Sequence, residues 1–138
     1  MKGLIFYVPS YPAAANLGLL IFRVYVGLTI AFAHGIGKIP PQEQFVGMVE
    51  GMGFPMAYSF AWLAGLAEFA GGIAVALGLL TRFGALGLIV NFAVASLIFH
   101  SADPFQVKEL AFTFLFCSIL LCFTGAGKFS VDALINKK

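Results

Sequence analysis

The sequence predicts an all-α integral membrane protein, an up-down-up-down four-helix bundle with a short outer amphipathic helix between spans one and two. The chain has 138 residues, of which 61% are hydrophobic and 10% are charged, and its mean hydropathy is +0.99. A soluble domain is about 45–50% apolar and about 25% charged, and a particle this small cannot hide so much apolar surface from water. The net charge of +2 comes without a basic block, which argues against nucleic-acid binding. The expected partner is therefore the lipid bilayer.

Four apolar stretches are long enough, or nearly so, to cross a bilayer, which takes about 20 helical residues. They are residues 16–37, 56–80, 83–100 and 107–124. Spans two to four are joined by short connections, which make sequential helices antiparallel neighbours. We expect residues 1–138 to form a single transmembrane domain.

The stretch 38–55, between the first two spans, has the pattern of a short amphipathic helix. Phe45, Met48, Val49 and Met52 recur at helical spacing, and polar residues lie off that stripe. Such a helix lies on the membrane surface or caps the bundle. A polar loop is the alternative interpretation.

The distribution of basic residues predicts the orientation of the bundle. The apolar stretch 4–8 is cut short by Pro9, so it is not a typical signal peptide and we expect it to be retained. Four spans place both termini on one side, which carries five basic residues against two on the other. The five are Lys2, Arg82, Lys128, Lys137 and Lys138, and the two are Lys38 and Lys108. The excess predicts that both termini face the cytoplasm.

Three polar residues interrupt the spans and are the candidate buried polar core: Arg23, Glu68 and Asn91. At 1.5 Å per residue, Arg23 and Glu68 both fall roughly 18–21 Å below the outer surface, and the depth of Asn91 is compatible. Small residues recur at four-residue intervals beside each of them, as on the packing faces of membrane helices. We expect an Arg23–Glu68 ion pair inside the bundle. It either marks a functional site or only fixes the register of the helices.

Two histidines end spans one and three on the predicted outer side, and His34, Lys38, His100 and Glu109 form a candidate ligand pocket there. A histidine pair can relay protons, ligate a metal or hydrogen-bond a quinone head group. The alternative is that each imidazole only anchors its helix at the interface. Two histidines without a carboxylate triad are a weak metal signal, so we expect no metal site. On a straight helix His100 points away from Asn91, which argues against one continuous polar path.

Sequence motifs for catalysis are missing: the chain has no GxSxG, HExxH, P-loop or dinucleotide fingerprint. The sequence therefore names no catalytic residue and leaves open whether the protein is an enzyme.

Cys117 and Cys122 are five residues apart, which places them on different faces of a helix, so a mutual disulfide is not expected.

Four short motifs, taken in order, resemble the DoxX family of small four-helix bacterial membrane proteins. The first runs from Arg23 to His-Gly-Ile-Gly-Lys at 34–38, and the second is Glu-Phe-Ala-Gly-Gly at 68–72. The third is Gly-Leu-Leu-Thr-Arg at 78–82, and the last is the ending Gly-Ala-Gly-Lys-Phe-Ser-Val-Asp at 125–132. The resemblance extends over residues 16–134.

The resemblance implies a bacterial inner-membrane protein connected with redox processes. Relatives are named as subunits of thiosulfate–quinone oxidoreductase systems or are linked to oxidative stress. The leading hypothesis is an accessory subunit for quinone- or thiol-linked redox chemistry, working with a redox partner protein. The chain encodes no cofactor of its own, so electrons would require a bound quinone or the partner's cofactor. Two alternatives remain open: a minimal proton or small-solute carrier or channel, and an interaction or assembly protein without its own activity.

Overall fold

A computed structural model describes residues 7–136, and within that range the chain is helical with no β-strand. Four of its helices are long and apolar enough to cross a membrane, as predicted. The helices are α1 (Ala13–Leu28, continued by a π-helix over Thr29–Gly35 and a 3-10 turn over Ile36–Lys38), α2 (Glu43–Gly51), α3 (Ala57–Leu77), α4 (Thr81–Val94, continued by a π-helix over Ala95–Phe99), α5 (Phe105–Thr124) and α6 (Val131–Asn136).

The four long helices pack as antiparallel neighbours in chain order. Between α1 and α3 the backbones approach closely at two glycines. A Cβ atom on Gly27 would lie 2.5 Å from the Gly72 carbonyl oxygen, and one on Gly35 would lie 2.6 Å from the Phe69 nitrogen. These positions admit only glycine, as is typical where membrane helices are packed by their backbones.

The bundle buries a small apolar centre and leaves its outer surface apolar. Val26, Ile30, Val75 and Leu88 are at most 5% exposed and lie in the core shared by α1, α3, α4 and α5. Large apolar side chains such as Phe123 cover the outside. In a water-soluble protein such a surface would be a liability, whereas around a membrane bundle it is the surface that faces lipid.

The short helix α2 confirms the amphipathic helix predicted between the first two spans. Val49 is buried, while Phe45 and Met52 are half-buried and Met48 is exposed. Because Val49 packs inward, α2 covers one end of the bundle. We call this end, which also holds Lys38 and the α4–α5 connection, the α2 end.

The opposite end of the bundle carries the turn between α3 and α4 together with α6. Gly78 and Leu80 both have positive φ, and the Asp132 carboxylate accepts hydrogen bonds from the backbone N–H groups of Leu80 (2.7 Å) and Thr81 (3.0 Å). Asp132 thus satisfies the otherwise free donors at the start of α4. We call this the α6 end.

The predicted orientation of the termini in the membrane stays a prediction. Lys2, Lys137 and Lys138, three of the five basic residues on which it depends, lie outside the described residues, as does most of the stretch 4–8.

Cys117 and Cys122 are both free thiols.

Candidate functional site: a polar cavity at the α2 end

A buried carboxylate is the centre of the polar cluster at the α2 end. Glu68 of α3 is 2% exposed, and the Lys38 Nζ atom lies 2.6 Å and 2.7 Å from its two carboxylate oxygens. The Asn91 Nδ2 atom of α4 donates a further hydrogen bond of 2.7 Å to Oε1. Glu68 therefore joins α1, α3 and α4 through one ion pair and one amide hydrogen bond.

Lys38 reaches Glu68 because of how the first span ends. The α-helix widens into a π-helix over Thr29–Gly35 and then tightens into a 3-10 turn that ends at Lys38, after which Ile39 is extended. The lysine side chain is 31% exposed, and its ammonium lies 5.4 Å from the ring centre of Phe45 in α2. Its stem thus spans from the edge of the bundle inward to the buried carboxylate, the opposite direction to lysine side chains whose charged heads turn out to water at membrane interfaces.

His34, Lys38, Glu68 and His100 line one cavity of about 170 Å³. Its other walls are apolar or aromatic. They are formed by Phe92, Ala95, Val107, Leu110, Ala111 and Phe114. The cavity thus brings together a cation, a carboxylate and two imidazoles among apolar walls, the composition typical of small-molecule sites.

The two histidines are held in different ways. The His34 ring meets Phe114 edge-on, with the ring centres 5.3 Å apart. The His100 Nδ1 atom lies 2.6 Å from a carboxylate oxygen of Asp103, which fixes that imidazole from the α4–α5 connection. Together the rings can donate or accept hydrogen bonds, and His100 can pass a proton to or from its carboxylate partner.

On a straight α4, His100 would point away from Asn91, and His100 lines the polar cavity whereas Asn91 is not among its lining residues. Residues Ala95–Phe99, directly before His100, form a π-helix. Its wider turn changes the rotation of every later side chain relative to an α-helix. His100 lines the same cavity as Glu68, which is in turn the hydrogen-bond partner of Asn91.

The predicted Arg23–Glu68 ion pair is wrong. The ion-pair partner of Glu68 is Lys38, and the Arg23 guanidinium donates to backbone carbonyls at the α6 end. The four acceptors are the carbonyl oxygens of Val75 (3.3 Å), Ala76, Ala126 (3.1 Å) and Phe129. Equal depths in two straight spans would have allowed the Arg23–Glu68 pair. The 125–130 segment, however, folds back onto α1 and supplies carbonyl acceptors for Arg23.

Arg23 is therefore a connector between the end of α3 and the 125–130 segment. It is 2% exposed, and a Cβ atom on Gly78 would lie 2.9 Å from its Nη1 atom. On the other side of the same segment, the Asn16 Oδ1 atom accepts a 2.7 Å hydrogen bond from the Lys128 backbone. This cluster closes the α6 end and is separated from the polar cavity by the apolar core.

The fourth predicted pocket residue, Glu109, does not line the cavity. It lies on the exposed face of α5. Sequence reasoning also missed Asp103, Asp132 and Asn16, which contact the backbone or a histidine. Asp103 carried a usable signal, its three-residue spacing from His100 next to Pro104, and Asp132 is the last residue of the motif at 125–132.

A metal-binding cluster is not formed within residues 7–136, where no three His, Cys, Asp or Glu side chains are grouped to hold an ion. The side chains that could contribute ligands already have other contacts. The His100 imidazole contacts the Asp103 carboxylate, and the Glu68 carboxylate is hydrogen-bonded to Lys38 and Asn91.

Comparisons with known proteins support the family resemblance that the four sequence motifs indicated. The sequence pattern of the DoxX family matches residues 18–101. The chain is 34% identical to the inner membrane protein YqjF of Escherichia coli, over 89% of this chain and 95% of that protein. It is 29% identical to an uncharacterized membrane protein of Mycobacterium tuberculosis, over 94% of this chain and 91% of the relative. No solved structure matches the chain.

Proposed function

Because this chain belongs to the DoxX family and is a multi-pass inner-membrane protein, we propose that its polar cavity binds a quinone-type ring. In this role the protein is an accessory subunit that supports quinone- or thiol-linked redox chemistry together with a redox partner protein. The observation that carries the proposal is the convergence of Lys38, Glu68, His34 and His100 on one small cavity with aromatic walls.

The size and the donors of the cavity fit such a ring. An engineered cavity of about 150 Å³ holds benzene, and this one measures about 170 Å³. A quinone presents two carbonyl oxygens, which need hydrogen-bond donors. The Lys38 ammonium and the histidine N–H groups are donors, while Phe92 and Phe114 offer flat apolar contact.

The chain's own residues would bind and orient the ring and supply protons. A bound quinone supplies the redox chemistry, since it accepts two electrons and two protons. His100, held by Asp103 at 2.6 Å, is placed to exchange a proton at its second ring nitrogen. The electrons would come from the partner protein's cofactor.

The carrier or channel alternative has less support. Such a function needs a polar path between the two ends of the bundle. Between the polar cavity and the Arg23 cluster, the described core is mainly apolar, with Ile30, Val75 and Leu88 fully buried, and the buried Ser118 hydroxyl is used in a hydrogen bond to the Phe114 backbone carbonyl of its own helix. The assembly alternative leaves the cavity without a use, although it explains the Arg23 cluster well.

A quinone titration of the purified protein in lipid nanodiscs tests the proposal. We expect a short-chain benzoquinone to bind saturably and a His34→Ala, His100→Ala double variant to bind at least tenfold more weakly. Glu109→Gln is the matched control, because Glu109 is exposed and outside the cavity, and its affinity should equal that of the parent. Equal affinity in the double variant would refute the proposal. Proton uptake by proteoliposomes without quinone would favour the carrier instead.

A further inference from the structure

A second cavity lies on the other side of the Glu68–Asn91 hydrogen bond, between α2, α3 and α4. It measures about 390 Å³, which is within the usual size range of small-molecule sites, about 300–1,000 Å³. Val49 of α2 and Met52, the residue after that helix, cover the cavity, and Leu63 and Val90 are among its walls. Among the residues of 7–136 that line it, Asn91 has the single polar side chain. We call it the lateral cavity.

The medium that surrounds the lateral cavity is hydrocarbon. Its walls on α3 and α4 belong to two of the four membrane-spanning helices, and along α3 they extend from Phe60 to Ala67, about 10 Å at 1.5 Å per residue. Leu63 and Val90 are each about 60% exposed. The cavity is therefore open to the side, toward lipid.

Gly87 in the wall of this cavity has no packing reason to be glycine. A Cβ atom added there would meet no atom within 4 Å, and its backbone is ordinary α-helix. Glycine in a helix interior costs roughly 0.5–1 kcal/mol relative to alanine. This contrasts with Gly27 and Gly72, where backbone contact leaves no room for a side chain. What Gly87 does provide is space in the lateral cavity.

Asn91 gives the cavity one hydrogen-bonding point. The amide has two N–H donors and a carbonyl acceptor, and among the described residues its one hydrogen bond is that from Nδ2 to Glu68. Because Asn91 also lines the otherwise apolar lateral cavity, the remaining donor and acceptor of its amide are the hydrogen-bonding groups available to a ligand there.

We propose that the lateral cavity binds a membrane-dissolved amphiphile that has a hydrocarbon chain and one uncharged hydroxyl or carbonyl group, with that group on Asn91. The chain of the ligand fills the space left by Gly87 beneath α2. Because Asn91 also holds Glu68, occupancy of the lateral cavity is linked to the hydrogen bonding of the polar cavity. This site does not depend on quinone binding in the polar cavity.

The test uses a long-chain alcohol with a diazirine beside the hydroxyl group as photoreactive probe, on the purified protein in nanodiscs. Cross-links should map to the cavity walls on α3 and α4, and unlabelled alcohol should compete. Gly87→Leu should lower this labelling at least tenfold, and Gly87→Ala should have a smaller effect in the same direction. Gly18→Leu is the matched control, because a Cβ atom at Gly18 also meets nothing within 4 Å and Gly18 lies on the exposed face of α1.

Four results would contradict the proposal. Labelling spread evenly over the outer surface would show that the probe reports bulk lipid. Undiminished labelling in both Gly87 variants, with thermal stability equal to the parent, would show that the cavity is not the site. A change of oligomeric state in Gly87→Leu but not in Gly18→Leu would assign the cavity to a second copy of the chain. Competition by an alkane of equal length should be weaker than by the alcohol, and equal competition would contradict the contact with Asn91.

Discussion

Removing Lys38 should be one of the most destabilising single changes at the polar cavity. In Lys38→Met the carboxylate of Glu68, 2% exposed, keeps only the Asn91 hydrogen bond and loses its counter-charge. Stranding a buried charge in this way costs about 3–5 kcal/mol. Since the lysine side chain is itself 31% exposed, we expect the lower end, about 3 kcal/mol. This corresponds to about two orders of magnitude in the unfolding equilibrium.

The double variant Lys38→Met, Glu68→Met separates charge stranding from a loss of packing. Replacing both members of a buried ion pair by apolar residues of similar volume is often neutral. We therefore expect the double variant to recover to within about 1 kcal/mol of the parent, with the residual cost coming from Asn91. Lys108→Met is the matched control, because its ammonium contacts only the Ser101 carbonyl, at 3.4 Å, in an exposed position.

The assay is equilibrium unfolding in mixed micelles of rising dodecyl sulfate content, followed by the fluorescence of the single tryptophan, Trp62 of α3. A Lys38→Met variant within about 0.5 kcal/mol of the parent would refute the reasoning, as the ion pair would then contribute little. Additive effects of the two substitutions would likewise show that Lys38 and Glu68 are not energetically coupled.

Three further predictions concern the helix cap at Asp132, the close contact at Gly27 and the orientation of the bundle in the membrane. Asp132→Asn should lower the free energy of unfolding by about 1–2 kcal/mol in the same titration, because the helix-capping carboxylate loses its charge and one of its two acceptor oxygens; an unchanged midpoint would contradict the capping role. Gly27→Ala should cost about 2 kcal/mol by overpacking against the α3 backbone, whereas Gly18→Ala should be neutral or slightly stabilising; equal effects would show that the close approach is not needed. With native cysteines removed, an impermeant thiol reagent on intact cells should label a cysteine at Gln42 and not one in the C-terminal tail, and the reverse pattern would overturn the predicted orientation.

The four spans were predictable because a long apolar stretch has few structural alternatives. Backbone groups within lipid must be satisfied internally, so such a stretch becomes a helix, and short connections then set the antiparallel order. The depth of Asn91 along α4 was compatible with that of Glu68 along α3, and the two side chains are hydrogen-bonded. Both results depend only on the rise of an α-helix and on chain order.

The rest of the site depends on departures from a regular α-helix, which hydropathy does not encode. Two π-helical segments, Thr29–Gly35 and Ala95–Phe99, change the rotation of the helix ends that carry the histidines. Lys38 was predicted in the ligand pocket on the outer side but not as the partner of Glu68, which its flexible side chain reaches. Arg23 binds carbonyls of a segment 103 or more residues away along the chain at Ala126 and Phe129, and residue types alone do not identify such acceptors.

The glycine contacts between α1 and α3 also determine which side of the bundle can move. At Gly27 and Gly35 the backbones of α1 and α3 are in direct contact without intervening side chains. We therefore expect these two helices to move together as one rigid unit. Helix α5 meets α1 mainly through side chains, as in the ring contact of His34 with Phe114, and a side-chain contact can loosen by a change of rotamer, which a backbone contact cannot. Thermal fluctuations of the bundle should therefore be largest at the contact between α1 and α5. The polar cavity then has a rigid side, formed by α1 and α3, and a more mobile side, formed by α5.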